Sequence, residues 1–275
     1  MSKVIFEAQN ASKVIEGLKI LEGIDINLTN GEVVAITGQN GSGKSSLLKL
    51  IAGIYEPSSG KVIRSPKRIS YVPEHFPENI RFKMNEYLLL LGEMSGRKKE
   101  ELSIEMTYWA HAFGIEGYLD TPLKKLSKGT KQKVGVIQSL LMKADVILLD
   151  EPLSGLDEVS QHVLINQIQQ IKKEKTIIFT SHEAFLVETI ANRKIELSNG
   201  RIIANERVVK RELIRVIRSR VPSKQGIEKI TGVIDCQIEN DSVAVITVKE
   251  KDSDLVLKEL LLKNASILEV REEWL

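Results

Sequence analysis

Eight consecutive residues, Gly38-Gln39-Asn40-Gly41-Ser42-Gly43-Lys44-Ser45, follow the spacing G-x-x-x-x-G-K-[ST] between an apolar run and a helical stretch. Glycines at these positions let the backbone wrap closely around a phosphate with its N–H groups turned inward. A helix starting there presents its positive end to the anion. Lys44 can reach the β- and γ-phosphates, and the Ser45 hydroxyl can ligate Mg²⁺. This is the chemistry of a nucleoside triphosphate site. A second cluster, Val146-Ile147-Leu148-Leu149-Asp150-Glu151, is an apolar run delivering two carboxylates at its end. Asp150 suits holding Mg²⁺ through water, and Glu151 suits orienting and partly deprotonating the water that attacks the γ-phosphate. Alone, Asp150-Glu151-Pro152 also reads as a polar strand end; downstream of a phosphate loop it gains its chemical sense.

The elements that must position these groups follow from hydrophobic period. Val33-Val34-Ala35-Ile36 is apolar and β-branched and reads as a buried strand. Ser45 to Ala52 has Leu47, Leu48 and Ile51 at helical spacing, with Gly53 as its stop. Short β runs at Val4 to Ala8 and at Ile24, Ile26 and Leu28 predict an N-terminal antiparallel β subdomain. Met84, Leu88, Leu91 and Ser95, then Leu102, Met106, Trp109 and Phe113, predict a helical insertion over about 80–128. Strands at Val146 to Leu149 and Thr176 to Phe179 then resume, separated by a helix carrying Val159, Val163, Ile168 and Ile171. Such alternation predicts an α/β fold with a parallel sheet, whose strand ends are where ligands bind.

A nucleotide domain over 1–207 and an accessory domain over 208–275 follow. In the second, strands at Leu213 to Ile217, Ile234 to Ile238, Val243 to Val248 and Ile267 to Val270 alternate with helices near Lys224 to Ile230 and Leu255 to Leu262. With a turn at Glu239-Asn240-Asp241, the order is βαββαβ, the ferredoxin-like α+β arrangement. The basic run Lys210-Arg211, Arg215, Arg218 and Arg220 reads as a solvated face.

The chain has 275 residues, 42% hydrophobic and 28% charged, a globular composition. Its 39 basic and 37 acidic residues nearly balance, so net charge says little about a polyanionic partner; no nucleic acid is expected as one. The single cysteine, Cys236, excludes an internal disulfide and reads as a small core residue. The N-terminus lacks a signal-peptide core, and no apolar run approaches the ~20 residues of a membrane helix. The chain is read as soluble, with any membrane role supplied by a partner.

Further motifs lie in a fixed order with these. Leu126-Ser127-Lys128-Gly129-Thr130-Lys131-Gln132 precedes the Asp150 strand, Ser154-Gly155-Leu156-Asp157 follows it, and Thr180-Ser181-His182 ends another buried strand. From Gly38 to His182 the chain resembles the ATP-binding-cassette (ABC) ATPases, whose signature is usually Leu-Ser-Gly-Gly-Gln. The resemblance implies a P-loop NTPase fold of ABC type and ATP with Mg²⁺ as ligands. It implies that Gly38 to Ser46 hold the phosphates, that Lys44, Glu151 and His182 are catalytic, and that Ser45, Asp150 and Glu74 serve the metal. Glu74 stands where the family usually has its Q-loop glutamine. Where most members stack an aromatic ring on adenine, this chain offers aliphatic Val14 and Ile15. Ser127 and Gly129 of a second copy would close over the nucleotide, giving a head-to-tail homodimer with two ATP molecules between its subunits.

The resemblance further implies a transmembrane permease partner and a cytoplasmic, peripheral location on the inner face of the cell membrane. Lys128, Thr130 and Glu74 depart from the usual pattern in ways similar to the branch that exports antibiotics, lipids or ions. A nutrient-importer ATPase and a soluble ABC ATPase outside transport are the alternatives.

Overall fold

A computed structural model describes residues 3–65, 67–208, 213–222, 226–240 and 242–274. Lys210-Arg211, Asp241 of the expected turn, and the first residues of the helix expected near Lys224 lie outside them. The chain divides into two units, Met1–Val208 and Val209–Leu275.

The first unit opens with β1 (Val4–Ile15) and β2 (Leu18–Thr29), a hairpin turned at Glu16 and Gly17, both at positive φ (48° and 80°). The hairpin extends beyond the alternating apolar residues because irregular pairing between Ala8 and Ala11 accommodates the polar residues Gln9 and Asn10 in mid-strand. Next come β3 (Val33–Thr37), α1 (Lys44–Ala52), β4 (Ser59–Arg64) and β5 (Ile69–Val72). Strands β2, β1 and β4 form an antiparallel sheet in that order.

The helical insertion follows as α2 (Met84–Met94), α3 (Lys99–Ala112) and two short 3-10 turns, leading to α4 (Lys128–Leu141). Then come β6 (Val146–Leu149), α5 (Glu158–Ile171), β7 (Thr176–Thr180), α6 (Ala184–Ile190), β8 (Arg193–Ser198) and β9 (Arg201–Arg207). The main sheet has the order β5-β6-β7-β3-β8-β9, parallel except for the β8–β9 pair. Strands β6 and β7 are buried at every residue, which is why they read as unbroken apolar runs rather than alternating ones. This order places the carboxyl ends of β5, β6, β7 and β3 side by side along one edge of the sheet. The phosphate loop, Asp150-Glu151, Thr180-Ser181-His182 and the Glu74 segment all leave the sheet there.

One apolar cluster packs α2, α3 and α4 against one face of this sheet, through Met84, Leu88, Leu102, Met106 and Phe113. A second cluster joins α1 to the antiparallel sheet, through Phe6, Ile24, Leu28, Leu47 and Leu48. In α5 the buried residues are Ser160, Leu164, Ile165 and Ile168, whereas Val159, expected on the packed face, is exposed. Asp157 caps this helix, so Val159 falls in its first turn, off the buried stripe.

The second unit contains β10 (Leu213–Arg220), β11 (Val233–Asn240), β12 (Val243–Lys249), α7 (Ser253–Leu262) and β13 (Ser266–Trp274). Its sheet is antiparallel in the order β11-β12-β10-β13, so the first strand lies between the third and fourth as in a split βαβ fold. Over the described part of the helix expected near Lys224 to Ile230 there is none: residues 226–232 are turns and two bends. Gly226 (φ 83°) and Gly232 (φ 101°) bracket a segment too short for two helical turns. Ile227 and Ile230, whose spacing imitates a helix, are still buried in this unit's core beside Ile217, Ile246 and Val256. Cys236 is half-buried against that core, and burial pushes its thiol up.

Candidate active site

The carboxyl edge of the main sheet borders a cavity of about 450 Å³, lined by Gly43, Lys44, Ser45, Glu74, Glu151 and His182 among others. The phosphate loop leaves β3 and returns its chain direction at Gly38, whose φ is 142°. A Cβ at Gly38 would lie 2.3 Å from the Leu197 carbonyl oxygen, so no other residue fits without moving the backbone. Gly43 caps α1 in the left-handed region (φ 103°) without a side-chain cap, leaving the first N–H groups of the helix open to the cavity side. Asn40, Gly41 and Ser46 line the same space. Ser42 is buried, and its Oγ has no hydrogen-bond partner. A glycine cradle with an orphaned buried hydroxyl and a free helix N-terminus fits a phosphate chain.

Lys44 is only 7% exposed and folds back over its own loop. Its Nζ donates to the carbonyls of Gly38 (2.9 Å) and Gln39 (3.3 Å) and lies 3.7 Å from Glu151 Oε1. A buried ammonium needs such partners, because desolvation penalises an unpaired charge severely.

Asp150, 2% exposed, accepts three hydrogen bonds from three different elements. Ser45 Oγ (3.0 Å) and Thr180 Oγ1 (2.8 Å) donate to its Oδ1, and the Tyr71 hydroxyl (3.2 Å) donates to its Oδ2. Burial, followed by the neighbouring Asp150 carboxylate, holds the Tyr71 phenol above its usual range, so it remains a donor. Glu151 sits at φ 46°, a strained conformation for a residue with a side chain, and its N–H donates to Thr180 Oγ1 at 2.7 Å. Its Oε2 lies 3.0 Å from His182 Nδ1.

The Ser45 hydroxyl and the Asp150 carboxylate are hard oxygen donors side by side. Among the described residues no group of three or more His, Cys, Asp or Glu is arranged to hold a metal ion. This donor set fits Mg²⁺, which keeps several waters and is shared with substrate phosphates rather than caged by protein. Glu74 lines the cavity, with its side chain 43% exposed and His75 Nδ1 at 3.8 Å.

Ser127 and Gly129 do not line this cavity. Ser127 caps α4, its Oγ accepting the Thr130 N–H at 3.1 Å and lying 2.8 Å from Thr130 Oγ1. A Cβ on Gly129 would lie 2.6 Å from the Gly155 carbonyl oxygen, so the signature and the loop after Asp150 touch backbone to backbone. Lys133 reinforces that contact by donating to Asp157 Oδ2 (2.5 Å) and to the Phe113 carbonyl (2.9 Å). The resulting ion pair holds the Asp157 carboxyl well below the usual carboxylate range.

Ile15 pairs with Leu18 at the tip of the β1–β2 hairpin, and the aliphatic residue that lines the cavity is Ile20 on the returning strand. The sequence reading quoted Thr180, Tyr71 and Ser154 within its motifs but gave none of them a role in the site. For Thr180 the available signal was a polar residue closing the buried strand Thr-Ile-Ile-Phe-Thr; Tyr71, inside the half-buried strand Ile-Ser-Tyr-Val, carried none.

A family model for ABC transporters matches residues 21–154. The chain is 35% identical over 198 residues to an uncharacterised ABC transporter ATP-binding protein of Methanocaldococcus jannaschii, covering 72% of this chain and 75% of that protein. It is 31% identical over 208 residues to the ABC transporter ATP-binding protein NatA of Bacillus subtilis, covering 71% and 83%. A spermidine/putrescine import ATP-binding protein of Mesoplasma florum is 29% identical over 222 residues, covering 74% and 61%. Among solved structures, an ATP-binding subunit of an ABC transporter superposes with a TM-score of 0.68 at 26% identity, covering 74% of this chain and 90% of that one. An ATP-binding cassette solved as a dimer in a post-hydrolysis state with ADP and phosphate superposes with a TM-score of 0.67 at 21% identity, covering 74% and 99%. The latter likeness is one of fold.

Proposed function

From the premise that this chain belongs to the ATP-binding subunits of ABC transporters, which are ATPases powering transport, we propose how its own residues divide that work. The observation that carries the proposal is the convergence of Lys44, Ser45, Asp150, Glu151 and His182 on one sheet edge. The loop N–H groups and Lys44 bind the β- and γ-phosphates. Arrival of the γ-phosphate gives the Lys44 ammonium a stronger anion than the Glu151 carboxylate it now faces, freeing Glu151 to accept a proton from the attacking water. His182 engages the Glu151 carboxylate through Nδ1–H, and as an imidazolium it also donates from Nε2 to the phosphate. Ser45 and, by way of water, Asp150 would hold Mg²⁺, which would supply charge neutralisation at the phosphate oxygens.

A complete site takes two copies. Ser127, Gly129 and the start of α4 from one chain cover the nucleotide held by the other, and a membrane-embedded permease converts closure into transport. No helix among the described residues is long and apolar enough to cross a membrane. Lys128, Thr130 and Glu74 favour export. Import is the second reading, favoured by relatives named for spermidine/putrescine, ribose and zinc import.

Glu151→Gln tests the division of labour. It keeps shape but cannot take the proton, so turnover drops by about 100-fold or more. Calorimetric ATP affinity is retained, and size-exclusion chromatography shows an ATP-dependent dimer. Hydrolysis at the wild-type rate would remove Glu151 from the role of base.

A further inference from the structure

We propose that Thr180 is a positioning residue for hydrolysis: its hydroxyl ties the Asp150 carboxylate to the Glu151 backbone and so fixes where the Glu151 carboxylate stands. The proposal rests on the reading of Glu151 as the base. A threonine hydroxyl has one proton to give and lone pairs with which to accept. Asp150 Oδ1, as a carboxylate oxygen, only accepts, so at 2.8 Å the proton goes to it. The Glu151 N–H only donates, so at 2.7 Å it takes a lone pair of the same oxygen. Both partners therefore force one orientation of the hydroxyl, with no alternative network of equal quality.

Glu151 needs such a restraint. A non-glycine residue at φ 46° persists only where its surroundings over-determine it. The side-chain partners of Glu151 are Lys44 and His182, the two groups that turn to phosphate when nucleotide arrives. Its carbonyl accepts the Ser154 N–H at 3.0 Å, which orders the following turn but leaves the N-terminal side of the residue free. The Thr180 bond acts on that N-terminal side. Thr180 is fully buried, at 0% exposure. Thr180 also stands two residues before His182, so one strand end holds the backbone of the base and presents the histidine that contacts its carboxylate.

Thr180→Val is nearly isosteric but removes both bonds, while Thr180→Ser keeps the hydroxyl and loses only a methyl group. Thr180→Ala is a second hydroxyl-free variant should the valine protein not fold. Steady-state ATPase kinetics with Mg²⁺, calorimetric ATP binding and amide hydrogen exchange over residues 149–152 are compared across the series. In Thr180→Val, kcat falls by about 10–100-fold, as for other groups that orient a ligand or base from behind. ATP affinity stays within about three-fold, because the phosphate loop is untouched. The Glu151 amide exchanges faster in the hydroxyl-free variants, and Thr180→Ser restores both rate and protection. Wild-type kcat in Thr180→Val, a serine variant as slow as the valine one, or equal Glu151 protection in all variants would each overturn the proposal. A wild-type chain that binds ATP without hydrolysing it would instead overturn the reading of Glu151 as base, and amide exchange would still decide whether Thr180 holds its backbone.

Discussion

At the start of α1 the chain surrounds its own helix end. Glycine turns curl over it, Lys44 is folded across it, and two carboxylates and a histidine wall the cavity beyond. At the start of α4 the chain does nothing comparable. Ser127 and Lys128 are exposed, the Ser127 hydroxyl accepts the Thr130 N–H of its own helix, and no acidic residue occupies the first turn. Both ends offer open backbone N–H groups and a positive dipole, yet only the first has acid and base groups within reach. The contrast teaches that a helix N-terminus attracts an anion but becomes a catalytic centre only where a sheet edge adds converging side chains. The end of α4 is finished on a different side, against its own chain. Gly129 meets Gly155, and Lys133 binds Asp157.

Lys44→Ala makes the sharpest test of that contrast and carries the largest effect. It removes the one cation inside the α1 cavity and leaves α4 intact, so ATP binding weakens by about 100-fold or more, as expected when a partly buried charge pair with phosphate is lost. Calorimetry reads this directly, and unchanged affinity would break the assignment of α1 as the primary phosphate site. Ser127→Ala has the opposite profile. ATP affinity of the single chain stays near wild type, because Ser127 lies outside the cavity. Turnover falls by roughly 10-fold or more through loss of a donor supplied across the dimer. Equal losses of binding from both variants would erase the distinction between the two ends.

The α1 site was legible in sequence because its residues are consecutive: Gly38 to Ser45 carry their conformation and chemistry in one short run. The carboxylates were legible for a similar reason, closing a strand whose four residues are all buried. What escaped were contacts made across sequence. Tyr71 reaches Asp150 from a neighbouring strand, and Thr180 reaches it from the other side, pairings set by the order β5-β6-β7 rather than by local pattern. Local pattern also misled where burial and helical spacing coincide without a helix. Ile227 and Ile230 are three apart and buried, but the glycines around them break the backbone. Ile15 was placed near the base by position along the chain, whereas the hairpin's return carries Ile20 to the cavity.

Glu74 sharpens the comparison from the metal side. A glutamine would offer the cavity a carbonyl oxygen and an amide donor; glutamate keeps the oxygen, loses the donor and adds charge. Without Mg²⁺ that charge repels the γ-phosphate; with Mg²⁺ between them it attracts the cation. Glu74→Gln therefore improves ATP binding in chelator and leaves it little changed in Mg²⁺, a roughly five-fold narrowing that corresponds to about 1 kcal/mol across a partly screened separation. Calorimetric titrations with and without Mg²⁺ measure it. The same Mg²⁺ dependence in both proteins would make Glu74 a bystander at the cavity wall.

The smallest effect is expected at the tie that finishes α4, the Lys133–Asp157 pair. Asp157 also caps α5, accepting the Ser160 N–H at 2.9 Å, so Asp157→Asn retains a competent cap while discarding the charge. The Lys133 hydrogen bond, followed by the Ser160 N–H, holds the Asp157 carboxyl below its ordinary value near 4. A depressed folded-state value means the unfolded chain takes up the proton first as pH falls. The pair therefore stabilises the fold above about pH 4 and loses that contribution as the pH drops further. Asp157 is 57% exposed, so solvent screening limits the benefit to about 1 kcal/mol or less. Thermal melts should place Asp157→Asn about 2–4 °C below wild type at pH 7. The gap should narrow as the pH falls below about 4, where the unfolded chain takes up its proton, and close only once the folded-state carboxyl is protonated as well. A gap that persists unchanged at acid pH would assign the difference to capping geometry. In that case the backbone contact between Gly129 and Gly155 alone would hold the start of α4 in place.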